Sequence, residues 1–177
     1  SNLPVGKARY GVMLREDGFV MDDGTTTRFA EDHFFVTTTT VNAAKVMQHI
    51  DYARQVLWPE LDVAATSVTE HWSTYAIAGP QSRELVQRLL PGIDLSNEAF
   101  PFMAAAQCRW QGVPARLFRL SFSGELAYEF SVPATHGDRL IRAIHALDAT
   151  PDGTEALGVM RSERGHAAGD ELHGRTT

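Results

Sequence analysis

One cysteine, Cys108, is all the thiol that this 177-residue chain contains. That excludes an intrachain disulfide and any cysteine-built zinc site, and it fits a reducing, cytoplasmic compartment. Positive charge is also short. Lys and Arg number 16 against 22 Asp and Glu, a formal net charge of -6, and no basic block supplies phosphate contacts. A nucleic-acid partner is therefore not expected. No apolar run approaches the roughly 20 residues that cross a bilayer, and nothing has the charged, apolar and small-residue order of a signal peptide, so no membrane association is expected. No Gly-x-Gly-x-x-Gly opens a helix, which leaves no dinucleotide phosphate cradle. Repeats and low-complexity linkers are absent. The seven histidines are dispersed. His166 and His173, with Asp170 and Glu171 between them, match no metal motif and read as a solvated tail. No metal site is expected.

What is present describes a globular protein of one domain or a little more, with 44% hydrophobic and 21% charged residues. Ala8–Leu14, Phe19–Phe29 and His33–Thr38 read as three strands joined by short polar turns. The period then changes. Ala43, Val46, Met47, Ile50, Ala53 and Leu57 recur at helical spacing, giving a helix over about Val41–Leu57 that Thr40 can cap and Pro59 ends. Val63–Val68 and Thr74–Ala78 read as strands. Pro80 suits the first position of a helix over Gln81–Leu90, with Leu85, Val86, Leu89 and Leu90 as its buried stripe. A hairpin follows from Gln107 to Phe122, then a strand over Ala127–Val132. Thr135 and Asp138 can cap a helix carrying Leu140, Ile141, Ile144 and Leu147, and a last helix runs from Thr154 to about Arg164. This order predicts an α+β fold of mostly antiparallel sheets with covering helices, not a doubly wound nucleotide fold. The whole of 1–177 reads as part of one domain, cut at both ends.

Gly18-Phe19-Val20-Met21-Asp22-Asp23-Gly24 is the stretch richest in chemistry. Two carboxylates close an apolar run. Read by residue type, Asp-Asp-Gly is turn chemistry. Read as a strand end, alternation sends the two side chains to opposite faces, one towards a pocket and the other towards solvent or a turn.

Four segments in order resemble the folate-binding aminomethyltransferase family, which includes the glycine-cleavage T-proteins. They are Gly18–Asp23, Ala76-Ile77-Ala78-Gly79-Pro80-Gln81-Ser82, Phe122-Ser123-Gly124-Glu125-Leu126-Ala127-Tyr128-Glu129, and Leu157–Gly165. Val5–Met13, the run Thr37-Thr38-Thr39-Thr40, and Gly165-His166 with Glu171–Thr177 further resemble the alpha subunits of heterotetrameric sarcosine oxidases. The resemblance implies an aminomethyltransferase-like folate-binding fold. It makes Asp23 the active carboxylate, an electrostatic or general-base group beside the folate nitrogens. It makes Glu129 the anchor of the pterin amino and ring N–H donors. Three positions depart from the T-protein pattern: Phe122 replaces a tyrosine and keeps its stacking surface, Thr39 replaces a pocket asparagine, and Leu157 replaces an arginine. These departures suit a site that receives a free one-carbon species more than one served by a lipoyl arm. Trp72, Tyr75, Phe100 and Phe102 read as core or pocket wall.

The function so implied is the tetrahydrofolate-binding portion of a sarcosine-oxidising subunit. Sarcosine would be demethylated oxidatively to glycine, and the imine one-carbon unit captured as 5,10-methylenetetrahydrofolate. Flavin and NAD belong to the full complex outside this chain, and its partners are the other oxidase subunits. The isolated piece is expected to be inactive. Two alternatives stay open: a glycine-cleavage aminomethyltransferase, and a non-catalytic structural domain of an amine oxidase complex.

Overall fold

The computed structural model describes residues 2–166. Asp170, Glu171 and His173 of the histidine group, and the Glu171–Thr177 segment of the resemblance, lie outside the described residues. Seven strands form two antiparallel-rich sheets. Strands β1 (Lys7–Leu14), β2 (Val20–Arg28) and β3 (Phe34–Val36) lie in the order β1-β2-β3. Strands β4 (Trp72–Ala78), β5 (Ala105–Trp110), β6 (Val113–Phe118) and β7 (Ala127–Pro133) lie in the order β4-β7-β6-β5. Four helices accompany them: α1 (Ala43–Tyr52), α2 (Ser82–Leu89), α3 (Gly137–His145) and α4 (Thr154–Glu163). The chain divides into two compact units. The larger holds Thr27–Phe35 with residues 2–9 and 70–166, and the smaller holds Tyr10–Thr26 and Val36–Thr69.

The larger unit is built on alternation along β7. Tyr128, Phe130 and Val132 point to one face and are all fully buried. There they meet Ala115 and Leu117 of β6, Ile77 of β4 and Trp110 of β5, and α2 and α3 cover them with Val86, Leu90, Leu140 and Ile144. The expected α2 stripe is thus the observed one. β5 and β6 join through Gln111 and Gly112, with φ of 47° and 87°, the twist a two-residue hairpin needs. α3 lies close on β4: a Cβ at Gly137 would sit 2.5 Å from Ser73 Oγ, and Tyr75 Oη donates to the Gly137 carbonyl at 3.2 Å. The opposite face carries Ala127, Glu129 and Ser131 of β7. In register, Glu129 stands beside Ala76 of β4 and Phe118 of β6.

Several local expectations fail for identifiable reasons. Asp22-Asp23-Gly24 is not a turn but the middle of β2. Thr40 caps nothing: a 3-10 turn over Thr40–Asn42 precedes α1, and Asn42 occupies the N-cap without a side-chain bond. The helix itself stops at Tyr52 and relaxes into a π turn over Ala53–Leu57, where Val56 and Leu57 are exposed, so no packing enforces a regular helix there. Residues 63–68 form no strand, since mostly exposed apolar side chains give a pattern without a partner. Pro80 lies before the N-cap Gln81 of α2, not at its first position. β6 ends at Phe118 and does not continue to Phe122. The Thr135–Asp138 cap does not form, because Asp138 instead pairs with Arg142 at 2.9 Å along α3.

Gly24 fixes the smaller unit. A Cβ there would lie 1.9 Å from the Thr37 carbonyl oxygen, so only glycine permits β2 to approach this segment. Thr37 N donates to Thr25 O at 2.9 Å, and Thr25 N donates to Thr37 Oγ1 at 2.9 Å. Gly24→Ala must push these backbones apart. The expected loss is about 2–3 kcal/mol in chemical denaturation, whereas Gly92→Ala, with open space around it, should change little.

Candidate functional site

Two groups of polar side chains are held by the sheets, one in each unit. In the smaller unit both carboxylates of the β2 pair are shielded, Asp22 fully and Asp23 to 8% exposure. The expectation that one of them faces solvent does not hold. Burying a carboxylate is costly unless donors replace its water. Asp22 has three: Thr39 N at 3.0 Å, Thr39 Oγ1 at 2.7 Å and Asn42 Nδ2 at 3.2 Å. Asn42 Nδ2 also reaches the Met21 carbonyl at 3.4 Å. Asp22 is therefore the strut that ties the threonine run to β2.

Asp23 is served differently. Tyr10 Oη of β1 donates to its Oδ2 at 2.8 Å, and Oδ1 accepts no side-chain bond among the described residues. Burial, then the bond and charge of Asp23, push the Tyr10 phenol up from about 10 to about 12. The phenol thus stays a donor at neutral pH and holds one carboxylate oxygen. Sequence reasoning missed Tyr10 and Asn42. A tyrosine on the strand next to a buried acid was the available signal for the first. Thr39, read as a pocket residue, spends its N–H and hydroxyl proton on Asp22, so its oxygen is left only as an acceptor.

In the larger unit Glu129 is half-buried on β7. Burial pushes its carboxyl above the usual glutamate range. Among the described residues it has no hydrogen-bonding or ion-pairing side chain. Its face of the sheet also holds Arg116 of β6, opposite Ser131. The Arg116 guanidinium lies 3.8 Å from the Trp72 ring centroid, 4.5 Å from Phe35 and 5.7 Å from Phe29. Its Nε and Nη1 are buried without a hydrogen-bond acceptor, so the ring faces stand in for one. Trp72, read as core or pocket wall, is part of this cage. Phe100 is buried in the main core, stacked 6.4 Å from Tyr128, while Phe102 is exposed.

Phe122 lies outside any strand, 41% exposed, with His166 edge-on at 5.3 Å. Its ring can be stacked upon. Glu129 and Phe122 thus belong to the larger unit, and Asp23 and Thr39 to the smaller. Among the described residues no group of three or more His, Cys, Asp or Glu side chains is placed to hold a metal, and no helix is long and apolar enough to cross a membrane. Cys108 is a poor nucleophile, since burial pushes its thiol up to about 11.

Comparison with known proteins gives a consistent answer. The family model of the GCVT N-terminal domain matches residues 1–177. The sarcosine oxidase subunit alpha of Rhizobium meliloti (strain 1021) is 51% identical over 97% of this chain, which covers 18% of that protein. The Corynebacterium sp. (strain P-1) subunit is 46% identical over 100% of the chain and 19% of its own length. An aminomethyltransferase of Thermus thermophilus is 30% identical over 92% of the chain and 45% of its own length. The crystal structure of glycine cleavage system aminomethyltransferase T from Bartonella henselae superposes with a TM-score of 0.76 at 21% identity, covering 94% of this chain and 43% of that one. The α+β fold with an aminomethyltransferase likeness, expected from the four ordered segments, is the fold observed. The chain spans about a fifth of the sarcosine oxidase subunits it matches.

Two measurements check the electrostatics. In ultraviolet titration one of the four tyrosines should ionise at about 12 and vanish in Tyr10→Phe. In Asp23→Ala it should fall only part of the way to 10, because burial is the larger cause. An unchanged titration would show that the bond does not form. For Glu129, a carboxyl raised by burial favours the folded state when protonated. That contribution is full below the unfolded value, about 4.3, and is lost as pH rises through the folded one. Glu129→Gln should therefore raise Tm at neutral pH, with the difference closing below about pH 4. A difference independent of pH would contradict it.

Proposed function

The chain belongs to the GCVT N-terminal domain family, and from that premise we propose that it is the tetrahydrofolate-binding portion of an amine-oxidising alpha subunit acting on sarcosine. The observation that carries the reading is Glu129: a half-buried carboxylate, raised by burial, with no side-chain partner among the described residues. Such a group is costly to keep unless it has a ligand to bind. The amino and ring N–H donors of a pterin supply two parallel bonds to one carboxylate. Phe122, with its ring open, offers the flat apolar surface that a conjugated ligand needs. The residues present therefore fit the group. Identity of 51% with a sarcosine oxidase subunit, against 30% with an aminomethyltransferase, favours the oxidase setting over a free-standing glycine-cleavage enzyme.

In this reading the oxidation occurs at a flavin outside the chain. The product is the imine CH2=N–CH2–COO⁻. Its methylene carbon forms bonds to the two folate nitrogens as its bond to the glycine nitrogen breaks. Both folate N–H protons end on that nitrogen, so glycine leaves as the amine. Positive charge would develop at the imine nitrogen as it is protonated and at the attacking folate nitrogens, and Asp23 is the group proposed to stabilise it or to pass the proton. Tyr10 positions that carboxylate by holding Oδ2. Thr39 contributes a hydroxyl acceptor. The flavin, the dinucleotide and the remaining subunits are assigned to the complex, in a cytoplasmic setting, and the 177 residues alone are expected to have no turnover.

Tetrahydrofolate titration of the full-length protein tests the reading. Glu129→Ala should weaken binding at least tenfold, the scale of about 1.4 kcal/mol expected for lost charge-assisted bonds. Asp23→Asn should leave binding within a few fold and lower folate-dependent product formation about 100-fold. Tetrahydrofolate affinity unchanged by Glu129→Ala would sink the proposal.

A further inference from the structure

At the end of β7 nearer Ala127, the larger unit has a second polar feature. An open cavity of about 300 Å³ is lined by Phe102, Arg119, Ser121, Glu125, Ala127 and Arg164, among others. That volume is at the lower end of the range for small-ligand sites. Two arginines line it from different elements. Arg119 follows β6 and donates Nη1 to the Phe100 carbonyl at 2.8 Å. Arg164 ends α4 and donates Nη1 to the Gly124 carbonyl at 3.1 Å. A guanidinium has five N–H donors, and the described bonds use one on each. Neither arginine pairs with a carboxylate among the described residues, although acids outnumber bases in this chain. Glu125 lines the same cavity, yet it forms no described ion pair with either of them. Two arginines and one glutamate line it.

The placement is built rather than incidental. Gly124, at φ +92°, lets Arg164 lie against the loop: a Cβ there would come within 2.9 Å of Arg164 Cδ and 3.0 Å of Nη1. Ser121 Oγ accepts from Gly124 N at 3.0 Å and donates to the Glu125 carbonyl at 2.6 Å, which closes the loop around the cavity. Phe122 belongs to that same loop. Ala127 and Glu129 are two residues apart on β7, with side chains on one face and about 7 Å between them along the strand. Ala127 lines the cavity, so a ligand headed at Glu129 that runs along this face of β7 towards Ala127 meets it.

We propose that Arg119 and Arg164 form an anion subsite that takes the glutamyl carboxylates at the tail of the folate, Arg164 being the residue that selects for them. The proposal rests on the folate reading above. It assigns tail recognition to this cavity and pterin recognition to Glu129, so the two are separable.

The test compares tetrahydrofolate with tetrahydropteroate, which has the same pterin and benzoyl parts and no glutamate, on the full-length protein. Arg164→Gln should weaken tetrahydrofolate about tenfold and leave tetrahydropteroate unchanged. The ratio of the two affinities in the wild type should fall as salt rises, because the discriminating contact is between charges. Arg164→Lys should restore part of the preference. Glu129→Gln should weaken both ligands alike. If Arg164→Gln weakens both equally, or neither, the subsite is wrong while the folate reading stands. If the wild type binds neither ligand, both fall together.

Discussion

A carboxylate withdrawn from water must be given donors, and the sheets of this chain answer that demand in three ways. Asp22 is satisfied completely, by a backbone N–H, a hydroxyl and an amide. Asp23 is satisfied at one oxygen, by a tyrosine whose phenol stays protonated up to about 12. Glu129 is left without a side-chain partner among the described residues. A group with all its donors in place is a strut, and a group with none keeps its capacity for something that arrives. Removing the donors of Asp22 would strand a buried charge and release the threonine run, which is why Gly24 must let that run approach so closely.

The same separation appears at the scale of the four-stranded sheet. One face of β7 is wholly apolar and sealed by α2 and α3. The other carries Glu129 and, from β6, Arg116 within its aromatic cage. The same face also holds Phe118, buried against Phe29 and Phe35 in a second, smaller core. Trp72 and Phe35 supply a cation-binding surface in place of an acid, which leaves Arg116 charged and immobile without neutralising Glu129.

Much of this architecture is legible in the sequence because periodicity reports packing. The α2 stripe and the strand Ala127–Val132 carry patterns of 3.6 and two and stand nearly where expected, and the helix from Thr154 is also found. The failures share one cause. Thr40, Thr135 and residues 63–68 are readable only by local chemistry, and local chemistry yields whenever another partner is available or none is. Asp138 takes Arg142, and the apolar residues after Leu61 find no sheet. Within the pair, Asp22 has three donors and Asp23 has one side-chain donor among the described residues. The shielding of both does not follow from alternation. Asp22 depends on Thr39 and Asn42, 17 and 20 residues away, and Asp23 on Tyr10, 13 residues away, and no local pattern announces such contacts.

Charge economy gives the arginines their meaning. The ion pairs Arg15 with Asp17, Arg54 with Asp51 and Arg142 with Asp138, among the described residues, join positions at most four apart and solvent-facing. Such pairs contribute little to stability and form because the partners are close in sequence. Arg119 and Arg164 stand 45 positions apart and line one cavity with Glu125, yet neither forms an ion pair among the described residues. Bringing like charges together opposes folding unless the walls hold them, and each is held by a carbonyl through one of its five donors. The α4 position of Leu157, where the resembling family has an arginine, lies two helical turns before Arg164 on the same face. Arg164, at the C-cap of the helix, lies against the loop at Gly124, whose φ of +92° favours glycine.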